Sequence, residues 1–497
     1  MKGIVVINGN ETVIRFLSRG AFRDLERRHD VLYALINTRP GYAEQELAAD
    51  GVARRSERVP YYANRFRRWQ ELFDLSCVRF RALSPSFQVR YEEYIRKDAA
   101  RCARLEADGQ PDRYRAAREK AEQAMGCHPG WLALFQRERP DFVVVPTALL
   151  DHSTDDILQV AEQLRLPVLL LVAGWDNLSS KGLLYHQPAM LAVWGPQSKE
   201  HAVAIQNMDP ERIRLVGAPQ YDDYRRGTEE ERLAARRRLG LPEQGRAVLF
   251  AGTFRHFDET SLLLELEERI EAGTLPPFHV LYRPHPWRAK REQEQNFYDR
   301  TWRHVTMDPT LVEQYRQAKA RNEDSSPAGF VFEMQHLRDV YRAVDAVISP
   351  MSTVLLESML NGRPVMAVAF SDGKHSWSAD KVSRMMHFRE LYEIPEVLVC
   401  RDRTAFGDQV RALVERIGVP AVEQAIERAT GYFVMRDERP YAARAAGVLD
   451  EMLARYPRPD YDAVRVPPGR TLHEEPWRAR LTPSRVVAKL KRLAGWV

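Results

Sequence analysis

Two stretches of this sequence alternate short, almost wholly apolar runs with amphipathic segments, and that pattern confines the chain to α/β architectures. A strand covered by helices on both faces reads as a continuous apolar run, so such runs separated by helical periodicity predict parallel sheets. In the first stretch the runs are Gly3 to Asn8, Asp30 to Ile36, Asp141 to Pro146, Pro167 to Ala173, Ala189 to Trp194 and Arg214 to Val216. In the second, which begins near Gly240, they are Ala247 to Ala251, Phe278 to Tyr282, Gly329 to Phe332, Ala346 to Ser349 and Val365 to Ala369. A chain of 497 residues exceeds one ordinary core, so each stretch is expected to form its own Rossmann-like domain, with a substrate cleft between the two. The expected division is residues 1–217, residues 218–455 and a tail over 456–497, with Ala218-Pro219-Gln220-Tyr221 as the linker.

Composition narrows the function classes. No run of about 18 apolar residues is present to span a bilayer, and the polar residues that soon interrupt the N-terminal apolar run argue against a signal peptide. Cys77, Cys102, Cys127 and Cys400 are widely separated and form no CxxC, so neither a disulfide framework nor a zinc site is expected. The net charge of +5, from 74 basic against 69 acidic residues, is too weak an excess to argue for nucleic acid. A cytoplasmic location is the expectation.

Two segments break the alternation. About a hundred residues, roughly 40–138, separate the second and third apolar runs, far more than a plain loop, and predict a helical insertion. Within it Tyr61-Tyr62-Ala63-Asn64-Arg65-Phe66-Arg67-Arg68-Trp69 mixes guanidinium groups with aromatic rings. That mixture suits an anionic or lipid-linked acceptor, and equally suits packing between helices with a solvated basic face. Beyond the proline- and arginine-rich stretch Tyr456 to Thr482, Pro483 to Val497 reads as a capped amphipathic helix with Arg485, Lys489, Lys491 and Arg492 flanking an apolar arc. It is expected either to rest on the inner face of the cell membrane as a peripheral anchor or to dock on protein, including a second subunit.

Five places concentrate chemistry at predicted strand ends, where open parallel sheets bind ligands. The first is Ser349-Pro350-Met351-Ser352-Thr353-Val354-Leu355-Leu356-Glu357, with Gly362-Arg363-Pro364 beyond it. Here a strand leads through a polar turn into a helix predicted to run from near Ser352 to Gly362. A helix start offers unpaired N–H groups and partial positive charge to a phosphate, Ser352 and Thr353 add hydroxyls, and Glu357 is placed to accept from ribose hydroxyls. A plain helix cap is the alternative. The second is Tyr282-Arg283-Pro284-His285-Pro286, where Arg283 and His285 are expected to face the ligand. The third is Gly252-Thr253-Phe254-Arg255, in which Gly252 permits close backbone approach and Arg255 supplies charge. In the first domain, Asp151 and Asp176 follow strand ends and are the candidates for a general base. Asp176 also has an Asx-type structural reading beside Asn177. The spacing of a Walker P-loop and of a complete GxGxxG fingerprint are both absent.

The strand, Ser352-Thr353, Glu357 and Gly362-Arg363-Pro364 pattern resembles the donor segment of GT-B glycosyltransferases. The His285-Pro286 pair is similar to the His-Pro motif of the GT-B enzymes that build capsules, O-antigens (lipopolysaccharide) and teichoic acids. The resemblance covers mainly Gly240 to Asp372. It implies two Rossmann-like domains facing across a cleft and a nucleotide-sugar donor substrate, with no further cofactor. Gly252, Thr253, Arg255, Arg283, His285, Ser352, Thr353 and Glu357 would hold the donor, with His285 beside the leaving phosphate. Asp151 or Asp176 would take the proton of a glycan or lipid-linked acceptor, in an inverting reaction without a metal. Asp460-Tyr461-Asp462 spells a DxD but lies in the tail and is set aside as a metal site. Three other readings stand beside this one: a glycerophosphate-type transferase, a non-hydrolysing UDP-sugar 2-epimerase-like isomerase, and a non-catalytic scaffold.

Overall fold

The computed structural model describes residues 1–224, 227–253, 257–285, 300–313, 334–375 and 379–462. They form two compact units. The first holds Met1–Asp222 and the chain from Phe433 onward, and the second holds Asp223–Tyr432.

In the first unit seven parallel strands run in the order β3-β2-β1-β4-β5-β6-β7. They are β1 Lys2–Asn8, β2 Asp30–Ile36, β3 Arg55–Arg58, β4 Phe142–Thr147, β5 Val168–Val172, β6 Met190–Val193 and β7 Ile213–Leu215. Every residue of β4, β5 and β6 is buried, as the continuous apolar runs require. β3, Arg55-Ser56-Glu57-Arg58, was read as part of the helical insertion. It pairs instead with β2 as an edge strand, where a solvated side needs no apolar residue.

The insertion proper begins after β3. Helices α1 (Ala63–Phe80), α2 (Ala99–Asp108), α3 (Pro111–Met125) and α4 (Pro129–Glu138) are among its elements. At its start Arg65 and Trp69 turn inward, whereas Arg67 and Arg68 are exposed. Arg65 is buried, donates to the carbonyls of Met125 and Gly126, and pairs with Asp156 at the start of helix α5 (Ser153–Leu164). Trp69 donates from Nε1 to Asp155 at 2.7 Å. For Arg65 and Trp69 the packing reading holds, because burying a guanidinium or an indole N–H requires a partner and α5 supplies both.

In the first turn of α5 the Ser153 Oγ is buried without a partner, while Asp151 Oδ1 accepts from the Ser153 amide at 2.9 Å. Asp156 is drawn to Arg65 and His152.

In the second unit six strands among the described residues are parallel, in the order β10-β9-β8-β11-β12-β13. They are β8 Ala247–Ala251, β9 His279–Arg283, β10 Val305–Met307, β11 Ala346–Ser349, β12 Val365–Val368 and β13 Leu398–Cys400. Around them lie α6 (Glu259–Glu271), α7 (Met334–Ala343) and α8 (Val354–Leu360). The expected strand Gly329 to Phe332, Arg255 and the terminal helix Pro483 to Val497 lie outside the described residues.

The two units differ from the expected division at both ends. The break falls at Asp222, and Pro219–Tyr221 is a buried 3-10 turn of the first unit, not a linker. After the second sheet the chain returns, and α9 (Tyr441–Arg455) packs into the first unit's core through Tyr441, Ala445, Leu449 and Met452. Arg444 on α9 donates to the Val216 carbonyl and pairs with Asp222. The start of the tail follows: Tyr456 and Tyr461 donate to the carbonyls of Ala189 and Pro140.

Candidate active site

In both sheets the strand order reverses beside the first strand of the unit, between β1 and β4 and between β8 and β11. Such a reversal is the place at which open α/β sheets take ligands, beyond the carboxyl ends of the strands.

In the second unit β8 hands over to Gly252 and Thr253. A Cβ on Gly252 would lie 2.5 Å from a Glu259 carboxylate oxygen and 3.0 Å from the His285 amide nitrogen, so only glycine fits between these neighbours. Glu259 is 1% exposed and organises this corner. Its carboxylate accepts from the Thr253 amide at 2.8 Å and from Tyr282 Oη at 2.7 Å. The close approach expected at Gly252 is therefore to the protein's own carboxylate. The amides of Gly252 and Thr253 are occupied, the former by the Arg283 carbonyl at 2.8 Å.

β9 ends at Arg283, and Pro284 and His285 follow, with His285 half-buried. The Arg283 side chain is committed inward. It pairs with Asp308, a fully buried carboxylate at the end of β10, which also meets Nε2 of His336 on α7 at 2.8 Å. Burial opposes ionisation of Asp308, yet Arg283 and His336 hold its carboxyl below the usual range. Arg283 thus braces the site instead of reaching into it, a correction to its expected place on the phosphate.

After β11 the chain makes a strained turn. Met351 sits at φ 65°, a left-handed conformation that is costly for a residue with a side chain, and such strain concentrates at ligand sites. The turn is held by Ser349, whose Oγ donates to the Ala251 carbonyl at 2.9 Å and lies 3.0 Å from Ser352 Oγ. Ser352 Oγ accepts from the Val354 amide at 3.3 Å. Helix α8 is shorter than expected, ending at Leu360. Ser352, Thr353 and Glu357 are all partly exposed, and Glu357 accepts a short hydrogen bond from Tyr341 Oη on α7. Thr353 occupies the N-cap position without a side-chain cap bond, and Ser352 before it is partly exposed at the strand end.

In the first unit Asn8, the last residue of β1, donates from Nδ2 to Asp151 Oδ1 at 3.2 Å across the strand reversal. Asp151 is partly exposed, in a turn where Leu149 has φ 52°. Next to it His152 is buried, with Nδ1 2.5 Å from Asp156. Asp176, after β5, lies beside Lys181 at 3.2 Å and its side chain accepts from Asn177 Nδ2 at 3.1 Å, while its carbonyl accepts from Ser180 Oγ at 2.7 Å. Asp151 therefore has the switch-point position, and Asp176 the cationic neighbour. In the DxD of the tail, exposed Asp462 pairs with Arg139 at 2.7 Å.

This geometry can now be set beside known proteins. Residues 190–382 match the family model of CDP-glycerol:poly(glycerophosphate) glycerophosphotransferase. The matched segment contains β8, β9, β11 and β12 with their C-terminal loops. No curated protein matches the chain. Among solved structures, MnaA from S. aureus with UDP is 11% identical with a TM-score of 0.51, covering 91% of this chain and 96% of that one. A UDP-N-acetylglucosamine 2-epimerase is 12% identical with a TM-score of 0.50, covering 93% of this chain and 98% of that one. The fold is accordingly the pair of Rossmann-like domains known as GT-B. Among the described residues no helix is long and apolar enough to cross a membrane.

Sequence reasoning assigned no role to Glu259, Asp308, His336, Asp372 or His375. For Glu259 the signal in the sequence is Gly252, the glycine against which its carboxylate packs.

Proposed function

We propose that this protein transfers a polyol-phosphate unit of the glycerophosphate kind from a cytidine diphosphate donor to a hydroxyl of a surface-polymer acceptor. The family match across residues 190–382 carries this reading, because it spans the strand-end loops that hold Gly252, His285, Ser352 and Thr353. In such a reaction the acceptor oxygen attacks the phosphorus that bears the polyol. The anhydride bond to the CMP phosphate breaks, and CMP leaves with the electron pair. Asp151 or Asp176 takes the acceptor's proton. The turn at Ser352-Thr353 and His285 meet the charge that develops on the leaving phosphate, and Glu357 receives the ribose.

Glycosyl transfer from a nucleotide sugar to a glycan or lipid-linked acceptor is the second reading. It is supported by the likeness to a fold that holds UDP in MnaA, although fold alone does not fix chemistry. Here the bond broken is at the anomeric carbon, with inversion, and the same loops hold the nucleotide. In either case the acceptor is expected at the inner membrane face, with residues 483–497 as the peripheral contact.

The test is incubation with CDP-glycerol and a panel of nucleotide sugars, with and without a lipid-linked acceptor. Acceptor-dependent CMP release from CDP-glycerol supports polyol-phosphate transfer. Acceptor-dependent release from a nucleotide sugar selects the second reading. Conversion of a UDP-sugar without acceptor indicates an isomerase and contradicts both.

A further inference from the structure

The loop after β12, which the reading above leaves unused, carries an aspartate–histidine pair on the same rim as Ser352. Asp372 lies four residues beyond the end of β12, and its carboxylate is 3% exposed. Four contacts saturate it. Oδ1 accepts from the Lys374 amide at 3.0 Å and the His375 amide at 2.9 Å, and Oδ2 accepts from the Asp258 amide at 2.9 Å and meets His375 Nδ1 at 2.6 Å. Burial opposes its ionisation, but these hydrogen bonds, led by the one from the imidazole, hold the Asp372 carboxyl below its usual range.

Two consequences follow from this geometry. The contact with the Asp258 amide ties the loop after β12 to the loop after β8, and Lys374 Nζ reinforces it on the Asp258 carboxylate. Because β8, β11 and β12 are consecutive in the sheet, at about 4.8 Å per strand, these loops flank the turn at Ser352 within about 10 Å. The second consequence concerns the ring of His375. Its Nδ1 is fixed on Asp372, its orientation is set by that contact, and the side chain remains 19% exposed. A carboxylate that holds an imidazole by one nitrogen also fixes the direction of the other, the arrangement used wherever a histidine must meet a ligand in one fixed pose.

We propose that His375, oriented by Asp372, is a second phosphate-binding group of the donor site, and that it contacts the phosphate beyond the nucleoside monophosphate. This rests on the nucleotide-donor reading given above and sharpens it by dividing the work. The turn at Ser352-Thr353 holds the monophosphate that leaves, and His375 holds the phosphate that is transferred or that links to the transferred unit. An imidazole with Nδ1–H on a carboxylate donates from Nε2 only as the cation, so the group acts as an imidazolium. Asp372 holds the ring, and the Lys374–Asp258 ion pair adjoins Asp372.

Calorimetric titration of the full-length protein with CMP and with CDP tests this. His375→Asn keeps an amide nitrogen near the Asp372 carboxylate and removes the distal ring nitrogen. It should leave CMP affinity unchanged and reduce CDP affinity by about tenfold, the scale of one charge-assisted hydrogen bond. His375→Gln, whose longer side chain places an amide nearer the distal position, should recover part of that loss. An unchanged ratio of CDP to CMP affinity in His375→Asn overturns the proposal. So does an equal loss for both ligands, which would make His375 a loop brace. Failure of the unsubstituted protein to bind either nucleotide would instead overturn the nucleotide-donor reading itself, and the inference with it.

Discussion

Arg283 carries its guanidinium to the buried carboxylate of Asp308, not to the rim of the sheet where a phosphate would lie. The pair joins the ends of β9 and β10, and His336 of α7 completes it. Removing one member of a buried ion pair strands the other charge, at a cost of about 3–5 kcal/mol. Asp308→Asn should therefore lower the urea midpoint of the second domain clearly. The folded-state pKa of Asp308 is depressed, so its contribution is present above the unfolded carboxyl range and lost as pH falls through the folded value. A midpoint unchanged by the substitution at pH 7 would show that the pair does not brace this corner.

Why this pairing was not legible is physical. Arg283-Pro284-His285 reads as a strand end, but Asp308 lies in a different β-unit and His336 on a later helix, and no local pattern links them. What the sequence does carry is the sheet order's raw material: β1, β2, β4, β5, β8, β11 and β12 are apolar runs found within a residue or two of expectation. β3 escapes because an edge strand can be Arg-Ser-Glu-Arg, and β10 and β13 are the short edge strands of the second sheet. The return of the chain after Phe433 is a tertiary choice made by the apolar face of α9. The Asp372–His375 contact is local enough to read, since the spacing of three across Gly373 forms a tight turn.

The insertion is fastened to the first domain by two adjacent acids with opposite behaviour. Asp155, under Trp69 Nε1, has its carboxyl pushed up to about 7 by burial, whereas Asp156 is pulled below its usual range, against burial, by His152 and Arg65. A raised carboxyl means that the folded state binds the extra proton, so stability from Asp155 falls as pH rises from about 4 toward 7. Asp155→Asn should thus melt higher than the parent at pH 8, with the difference closing below pH 5. Asp156→Asn should melt lower at pH 7, with the deficit shrinking in acid. Parallel melting curves for Asp155→Asn and the parent from pH 5 to 8 would contradict the assignment.

The two base candidates separate by environment. Asp151 is held by Asn8 and the Ser153 amide at the strand reversal, and Asp176 is neutralised in part by Lys181. Replacing the acting base by asparagine should cut turnover at least a hundredfold while sparing nucleotide affinity. Asn8→Ala should lower turnover less, and only if Asp151 is that base. Full activity in both Asp151→Asn and Asp176→Asn would remove a carboxylate base from the mechanism.

At the end of β8 the Glu259 carboxylate holds the Thr253 amide and Tyr282 Oη. Gly252→Ala would press a methyl group against this carboxylate and the His285 amide. The substitution should weaken CMP binding about tenfold or more by displacing His285, with the first domain's unfolding unaffected. Wild-type affinity in Gly252→Ala would show that the loop after β8 does not position His285 for the donor.

The central claim is that the strand ends of the second domain, at Ser352, Thr353, Glu357 and His285, bind a cytidine nucleotide donor. The most direct measurement is a calorimetric titration of the full chain with CDP-glycerol, repeated with Glu357→Ala and His285→Ala. Saturable one-to-one binding that both substitutions weaken about tenfold or more, in proteins that melt as the parent does, is the predicted result. Binding of equal strength in the parent and both variants would contradict the account.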